Sequence, residues 1–369
     1  MRIRHYVWRD PAWPEFRWDD TRVLEPLSDA RLRQGRLLGG MARLGFELKR
    51  EAHLEALTED VVKTSEIEGE VLNRESVRSS LARRLGVPEA GVASADRRSD
   101  GVVDVMLDAT GNFEAPLTAR RLRAWHAALF PAVHSGLKRI RTGAWRRDTG
   151  GPMRVVSGPI GRQRVHYEAP PASRVDAEMR RFLEWFNTRP GPEGLLRAGL
   201  AHLWFVTIHP FEDGNGRIAR AIADKALAQS EHSSQRFYSV SSQIRKERTA
   251  YYDMLERTQR GTLDVTDWLV WFLGGFTRAV DGAGEIFAQV LRKADFWHRH
   301  ARETLSDRQK KVLNRSLDGL EGKLTAKKWA AIARCSIPSA QRDINDLLAR
   351  GMLRRNPGGS KNTSYDVAL

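Results

Sequence analysis

Apolar side chains recur three or four positions apart along most of the chain, and that period predicts helices. From Ser28 to about Val71, Leu37, Leu38, Met41, Leu44 and Leu48, and then Leu54, Leu57, Val61 and Val62, mark two of them. Leu117-Thr118 opens another that ends near Phe130, and the pattern resumes over Ser173–Asn187, Leu195–Ile208, Asn215–Gln229, Ile244–Thr258 and Thr266 to about Arg302. Residues 143–171 break the period: short β-prone pieces separated by Gly and Pro predict one hairpin, with strands near Met153–Ser157 and Arg164–Tyr167 and Gly158-Pro159-Ile160-Gly161 as its turn. The aromatic start, with Trp8, Trp13, Phe16 and Trp18 among prolines, predicts an extended or hairpin segment packed on a larger body. From Ser306 the pattern becomes three short helices, with Ser306 and Thr325 as caps and Ile337-Pro338 opening the third, followed by two strands around Pro357-Gly358-Gly359. That order is the order of a winged helix. The expected fold is therefore all-α, with a small β-hairpin and a carboxy-terminal winged-helix domain.

Composition narrows the classes. The chain has 369 residues, and at roughly 150 per domain that suggests two or three units. Its 41% hydrophobic content and 11 Trp exclude a disordered chain. One cysteine, Cys335, excludes an intramolecular disulfide and a multi-cysteine zinc site. No apolar run reaches the ~18 residues of a membrane span and no signal peptide is visible, so no membrane partner is expected and a cytoplasmic address follows as the default. The net charge of +15 favours phosphate-bearing partners. Residues 301–369, with 14 Lys/Arg against 7 Asp/Glu, hold the densest share of it.

Candidate chemistry is concentrated in His209-Pro210-Phe211-Glu212-Asp213-Gly214-Asn215-Gly216-Arg217-Ile218-Ala219-Arg220, a loop that runs into a helix amino terminus. Unpaired N–H groups at a helix start bind anions, and Gly214 and Gly216 let the backbone come close to one. Arg217 and Arg220, one turn apart, add two guanidinium forks suited to phosphate oxygens. Asp213 is a hard oxygen ligand of the kind Mg²⁺ takes beside phosphates, and His209 can accept a proton near neutral pH. A general base, a metal carboxylate, an anion cradle and paired arginines in one short segment point to phosphoryl or nucleotidyl transfer.

The segment matches position for position the motif H-x-F-x-(D/E)-G-N-G-R-x-x-R, and the chain thereby resembles the Fic family. The resemblance implies a helical Fic core that transfers AMP from Mg·ATP to a Ser, Thr or Tyr hydroxyl of a target protein. On that pattern His209 deprotonates the hydroxyl, Asp213 holds Mg²⁺, Asn215 and the Gly214 and Gly216 backbone bind phosphate oxygens, and Arg217 and Arg220 contact the diphosphate portion and the γ-phosphate. Phe211 anchors the loop. The hairpin, Met153, Arg154, Val155, Val156 and Ser157, resembles the family's target-docking flap, which pairs with an extended peptide. Tyr251 and Tyr252 fall where Fic proteins build the nucleoside pocket, with core packing of Tyr251 as the competing reading.

Upstream, Thr64-Ser65-Glu66-Ile67-Glu68-Gly69 resembles the family's inhibitory (S/T)-x-x-x-E-(G/N) motif. The implied mechanism is that Glu68 pairs with Arg220 and takes the space of the γ-phosphate; Glu66 and Glu70 are expected to be solvated helix charges. The organisation that follows is an amino-terminal extension, 1–100, with its inhibitory helix at about 54–70, a Fic core at 101–304 and a winged helix at 305–369. Alternatives are transfer of UMP or phosphocholine, removal of AMP, and DNA contact by the tail through Ser339, Gln341, Arg342, Asn345, Arg350, Arg354, Arg355 and Lys361. Protein docking or homodimer packing by the tail competes with DNA contact.

Overall fold

Asp19 fixes where the first helix begins. Its carboxylate accepts from the Thr21 N–H at 2.9 Å, satisfying one of the donors that a helix start leaves unpaired. Helix α1 therefore spans Asp20–Ala42 and starts ahead of the expected Ser28. Pro26 lies inside it and hides the period, because proline usually signals an interruption. Helices α2 (Phe46–Ile67), α3 (Arg74–Leu85), α4 (Arg97–Gly111) and α5 (Ala119–Leu129) follow, the last capped by Thr118. Strands β1 (Arg154–Ser157) and β2 (Arg164–Glu168) form the predicted antiparallel hairpin. Then come α6 (Ala172–Asn187), α7 (Gly194–Ile208), α8 (Asn215–Glu231), α9 (Val240–Lys246), α10 (Arg248–Gln259) and α11 (Thr266–Arg299). The single helix expected over 244–258 is two, broken at Glu247, whose ψ of 29° leaves the helical range. The computed structural model describes residues 6–87, 97–131, 140–148, 151–159, 162–188, 191–320, 322–357 and 363–369; the turn residues Ile160 and Gly161 lie outside them. The molecule is mostly helical, 65% of it.

Two compact units divide the chain. The first comprises residues 1–43, 53–81 and 94–283, the second 44–52, 82–93 and 284–369. At the centre of the first lies α7, whose sequence GLLRAGLAHLWFVTI has no broad polar face; from Leu195 to Ile208 every residue is buried. A helix of that kind needs neighbours on all sides. Helix α8 packs along it, with α4 against α8 and α5 against α4. The last contact is close enough that a Cβ on Gly101 would meet the Ala128 carbonyl oxygen at 1.9 Å. The buried Lys225 ammonium on α8 donates to the Asn112, Phe113 and Ala115 carbonyls and so ties the α4–α5 connection to α8.

The aromatic start is not a hairpin: a 3-10 turn at Val7–Arg9 is followed by a second turn. Prolines and short-range polar bonds such as Ala12 N–H to Asp10 favour turns there over strands. Its aromatics pack as expected. Trp13 meets Trp204 edge-on at 6.2 Å and donates its indole N–H to the buried Glu178 at 2.9 Å.

In the second unit, α12 (Asp307–Leu317), α13 (Ala326–Ala333) and α14 (Ile337–Ala349) precede the hairpin of β3 (Leu353–Arg355) and β4 (Tyr365–Val367). Ser306 and Gln309 form a capping box, and Thr325 and Ser336 cap the other two helices. Trp329, Ile344, Leu347 and Met352 form a core from which water is wholly excluded. Of the residues offered for DNA contact, Gln341 bonds to Asn345 and Tyr365, Arg342 to Ser339, and Arg350 pairs with Asp346 and Glu303. Lys361 and the wing residues Gly358 and Gly359 lie outside the described residues. Among the described residues no helix is long and apolar enough to cross a membrane.

Candidate active site

Helix α7 stops because the chain reverses hand at His209, which takes φ 52° and ψ 57°. That region is unfavourable for a side-chain-bearing residue by roughly 1–2 kcal/mol, so neighbours must enforce it. Arg146 does so: its Nε donates to the His209 carbonyl at 2.8 Å and its backbone N–H to the Pro210 carbonyl at 2.9 Å. The rest of this buried guanidinium donates to the Pro170 carbonyl, just beyond β2, and to Asp148 at 2.8 Å. His209 Nδ1 faces the Val206 carbonyl at 3.3 Å. A carbonyl can only accept, so Nδ1 carries the proton and Nε2 is the basic atom. Desolvation, and after it the charge of Arg146, push the imidazole down to about 4, which keeps it neutral and ready to accept a proton at pH 7.

The loop that follows is braced from inside. Phe211 is wholly buried, stacked on His126 at 4.1 Å and tilted against Trp145 at 4.8 Å. Asn215 accepts from the Phe211 N–H at 3.0 Å and donates to the Phe211 carbonyl at 2.9 Å. Its amide is thus committed to closing the turn. Asn215 thus shapes the loop at the α8 amino terminus. Gly214, at φ 76°, has no room for a Cβ, which would come 2.9 Å from the Phe130 ring. Asp213 is exposed at the rim.

Both motif arginines are buried, and each meets a carboxylate from the end of α2. Arg220 donates from Nη2 to Glu68 at 2.6 Å and to the Thr64 carbonyl at 3.0 Å, and from Nε to the Thr64 hydroxyl at 2.7 Å. Burial is the strongest influence on Arg220 and lowers its pKa, but the charge and hydrogen bond of Glu68, with Tyr251 and Tyr252, together hold the guanidinium above its ordinary value. The same carboxylate lies where a Gly216 Cβ would be, 2.2 Å from that position, so Glu68 rests on the α8 amino terminus itself. Arg217 donates to Glu70 at 2.7 Å. Glu70 is therefore not simply a solvated charge. Gly69 turns the chain at φ 85°, and the Glu68 and Glu70 N–H groups both return to the Ser65 carbonyl, so residues that would diverge on a helix reach neighbouring arginines. The Glu-Gly-Glu run was the available signal. Glu66 pairs with Lys63 and Arg245.

Tyr251 is buried with its hydroxyl 2.8 Å from His202 Nε2, under the site rather than lining it. Tyr252 keeps an exposed ring face, under the Arg248 guanidinium, and its hydroxyl donates to the Ile67 carbonyl at 3.4 Å. Of the hairpin, Arg154, Val156 and Ser157 are exposed, Met153 and Val155 half-buried, and among the described residues β1 pairs only with β2. Its other edge offers the unpaired groups that strand addition uses.

Among the described residues no group of three His, Cys, Asp or Glu is placed to hold a metal. Mg²⁺ needs less, one or two carboxylates beside substrate phosphates, and Asp213 meets that requirement. The donor set suits phosphates: Arg217 Nε and Arg220 Nη1 are buried without a partner, beside glycines that leave the helix start bare.

Residues 116–227 match the family model described as Fic/DOC family. The chain carries a Fic/DOC family domain. Members of this family commonly transfer nucleotide or phosphate-containing groups to proteins. Residues 6–87 match a second model, described as a domain of unknown function, DUF4172. Among solved structures, a Fic family protein from Desulfovibrio desulfuricans G20 is 21% identical with a TM-score of 0.52, over 94% of this chain and 95% of that one. A Fic-domain-containing signaling protein from Bacteroides thetaiotaomicron is 17% identical with a TM-score of 0.50, over 72% of this chain and 97% of that one. At such identities the likeness is one of fold.

Proposed function

We propose that this Fic-domain protein is a protein adenylyltransferase that moves AMP from Mg·ATP to a Ser, Thr or Tyr hydroxyl of a target protein and is restrained by Glu68. The observation that carries the reading is the Glu68–Arg220 pair at 2.6 Å, seated on the helix start above Gly216. A carboxylate there meets the donors that a terminal phosphate needs. The chain already supplies its own anion to the cradle.

Residues 209–220 divide the work. His209 Nε2 takes the proton of the attacking hydroxyl, and Arg146 holds the ring's backbone in place. The α8 N–H groups, Arg217 and Arg220 bind the phosphates and stabilise the charge that leaves with pyrophosphate. Asp213 would hold Mg²⁺, which when bound neutralises phosphate charge. The β1 edge orients the target segment by main-chain pairing, leaving sequence choice to the side chains beside it. The tail, 305–369, is proposed as a winged helix with a docking role.

The test is transfer of label from the α-phosphate of ATP. Glu68→Gly should raise incorporation about ten- to a hundredfold, the worth of one charge-assisted hydrogen bond. Adding His209→Ala should abolish it. Equal incorporation in wild type and the Glu68 variant removes the inhibitory role; incorporation from UTP or a choline donor in place of ATP removes the adenylyl assignment.

A further inference from the structure

Beside the loop that carries His209, the first unit holds an open cavity of about 450 Å³ whose walls include Arg123, Arg141, Arg146 and Arg147. None of these arginines belongs to the motif, and their charge is not balanced. Of the two aspartates in the walls, Asp148 is committed, accepting from Arg146 at 2.8 Å and from the Ala172 N–H at 2.6 Å. Asp176 is largely exposed and stands 3.8 Å from Arg123, beyond hydrogen-bond reach. Arg123 lies over the Trp145 ring, 4.8 Å from its centroid, and its Nε is buried with no acceptor. Arg141 gives Nη1 to the Trp145 carbonyl at 2.7 Å, and Arg147 has neither a hydrogen bond nor an ion pair among the described residues. A buried donor without a partner is costly unless a ligand supplies the acceptor. The start of α6 adds Ala172 and Ser173 to the walls, and helix starts favour anions.

The cavity borders the proposed base and the hairpin through one side chain. Arg146 donates from Nε to the His209 carbonyl at 2.8 Å, and its charge is felt at the imidazole. It also holds the Pro170 carbonyl, next to Ala169, whose N–H donates to the Met153 carbonyl at 3.0 Å. The Met153 end of the hairpin is thus the end fixed beside the cavity wall. Arg141 ties that wall to the motif loop, its N–H donating to Glu212 Oε2 at 3.0 Å. An extended peptide advances ~3.3 Å per residue, so a segment laid along β1 toward His209 has the cavity within reach a few residues from the accepting hydroxyl.

We infer that this cavity receives an acidic side chain of the target protein, a few residues from the hydroxyl that is modified. The inference rests on the transfer reading and names the class of segment that the site acts on. Carboxylates match guanidinium forks, which bind both oxygens at once, and Arg141 and Arg147 are exposed and free to turn toward one. Main-chain pairing on β1 reads no side chain, so the cavity supplies the selection that pairing lacks. A lysine at the same position meets like charge and is rejected.

The experiment uses the full chain carrying Glu68→Gly and a set of dye-labelled peptides, alike but for Asp, Ala or Lys at the positions flanking one serine. Binding is followed by fluorescence anisotropy at ~0.15 M salt, where long-range attraction to a basic protein is screened. The Asp peptide should bind about tenfold more tightly than the Ala peptide, the worth of one or two partly exposed ion pairs. Arg123→Gln with Arg147→Gln should abolish that preference, and Arg147→Glu should shift it toward the Lys peptide. Arg354→Gln with Arg355→Gln, on exposed arginines of the tail, should leave it intact. Equal affinity for all the peptides overturns the inference, as does a preference that survives the loss of Arg123 and Arg147. Transfer of label from the α-phosphate of ATP to the same peptides should show the preference as a lower KM with kcat unchanged. A binding preference for Asp with no label on any peptide or lysate protein removes the adenylyl-transfer reading and leaves the acidic-segment assignment standing.

Discussion

Arg146 and His209 are joined at 2.8 Å through a guanidinium nitrogen and a main-chain carbonyl, not through the imidazole. The proposed base is therefore positioned by its backbone, with its ring left free at Nε2. The same guanidinium binds the Pro170 carbonyl, where the hairpin returns to the core. One buried cation thus links the end of the hairpin to the proposed base.

Replacing Arg146 should separate two effects. Arg146→Gln removes the donor pattern that holds His209 at positive φ, and a misplacement of about 1 Å lowers kcat on the order of a hundredfold. It also removes a positive charge that helps to depress His209. The imidazole pKa then rises from about 4 toward its ordinary 6.5, and the acid limb of the kcat profile moves to higher pH. Measured in the Glu68→Gly chain, a lower kcat with an unmoved acid limb would assign Arg146 to structure only.

On the proposed reading, Glu70 is a second, weaker restraint beside Glu68. Its side chain is nearly half exposed, at 46%, so solvent screens its pairing with the buried Arg217. Glu70→Gln should therefore raise label transfer only about two- to threefold, chiefly as a lower KM for ATP. A gain as large as that from Glu68→Gly would mean that Arg217, not Arg220, carries the main block.

What could be read from the chain beforehand was what is local. Residues 209–220, the Thr118, Ser306 and Thr325 caps, and the Gly- and Pro-bounded hairpin all specify themselves within a few positions. Apart from the Glu68–Arg220 pair, which the family resemblance implies, long-range partners could not be read. Arg146 and His209 are 63 residues apart, Glu70 and Arg217 147, and His166 and Glu256 90. Asn215 shows another limit: its place in the motif implies ligand binding, while its two bracing bonds to Phe211 could not be read from the chain. Pro26 and the break at Glu247 show that period alone misplaces helix ends.

The α4–α5 contact predicts a stability effect far from the chemistry. At Gly101 a Cβ would strike a carbonyl oxygen, and backbone cannot rotate away as a side chain can. Gly101→Ala should destabilise the first unit by about 1–3 kcal/mol, seen as a lower Tm with the protein otherwise folded. Gly111→Ala, where nothing lies within 4 Å, should leave Tm unchanged or slightly raised. Equal Tm values for the two variants would mean that α4 and α5 are not packed this closely.

Acid sensitivity follows from buried imidazoles in the same unit, two of them in addition to His209. His126, stacked under Phe211, is pushed down to about 4 by burial, and His202, beneath Arg220, to about 3 by burial and then by the Arg220 charge. Both are neutral in the folded chain, while in the unfolded chain each titrates near 6.5. The unfolded state thus binds more protons as pH falls below 6.5, so stability is full above that value and declines from there toward pH 4. The slope is at most about 1.4 kcal/mol per pH unit for each group. Tm measured between pH 7.5 and 5 should fall steadily below about pH 6.5, and His202→Gln, which keeps a polar partner for Tyr251, should flatten that fall. A Tm that stays level over this range would show that these rings are reached by water and carry no such penalty.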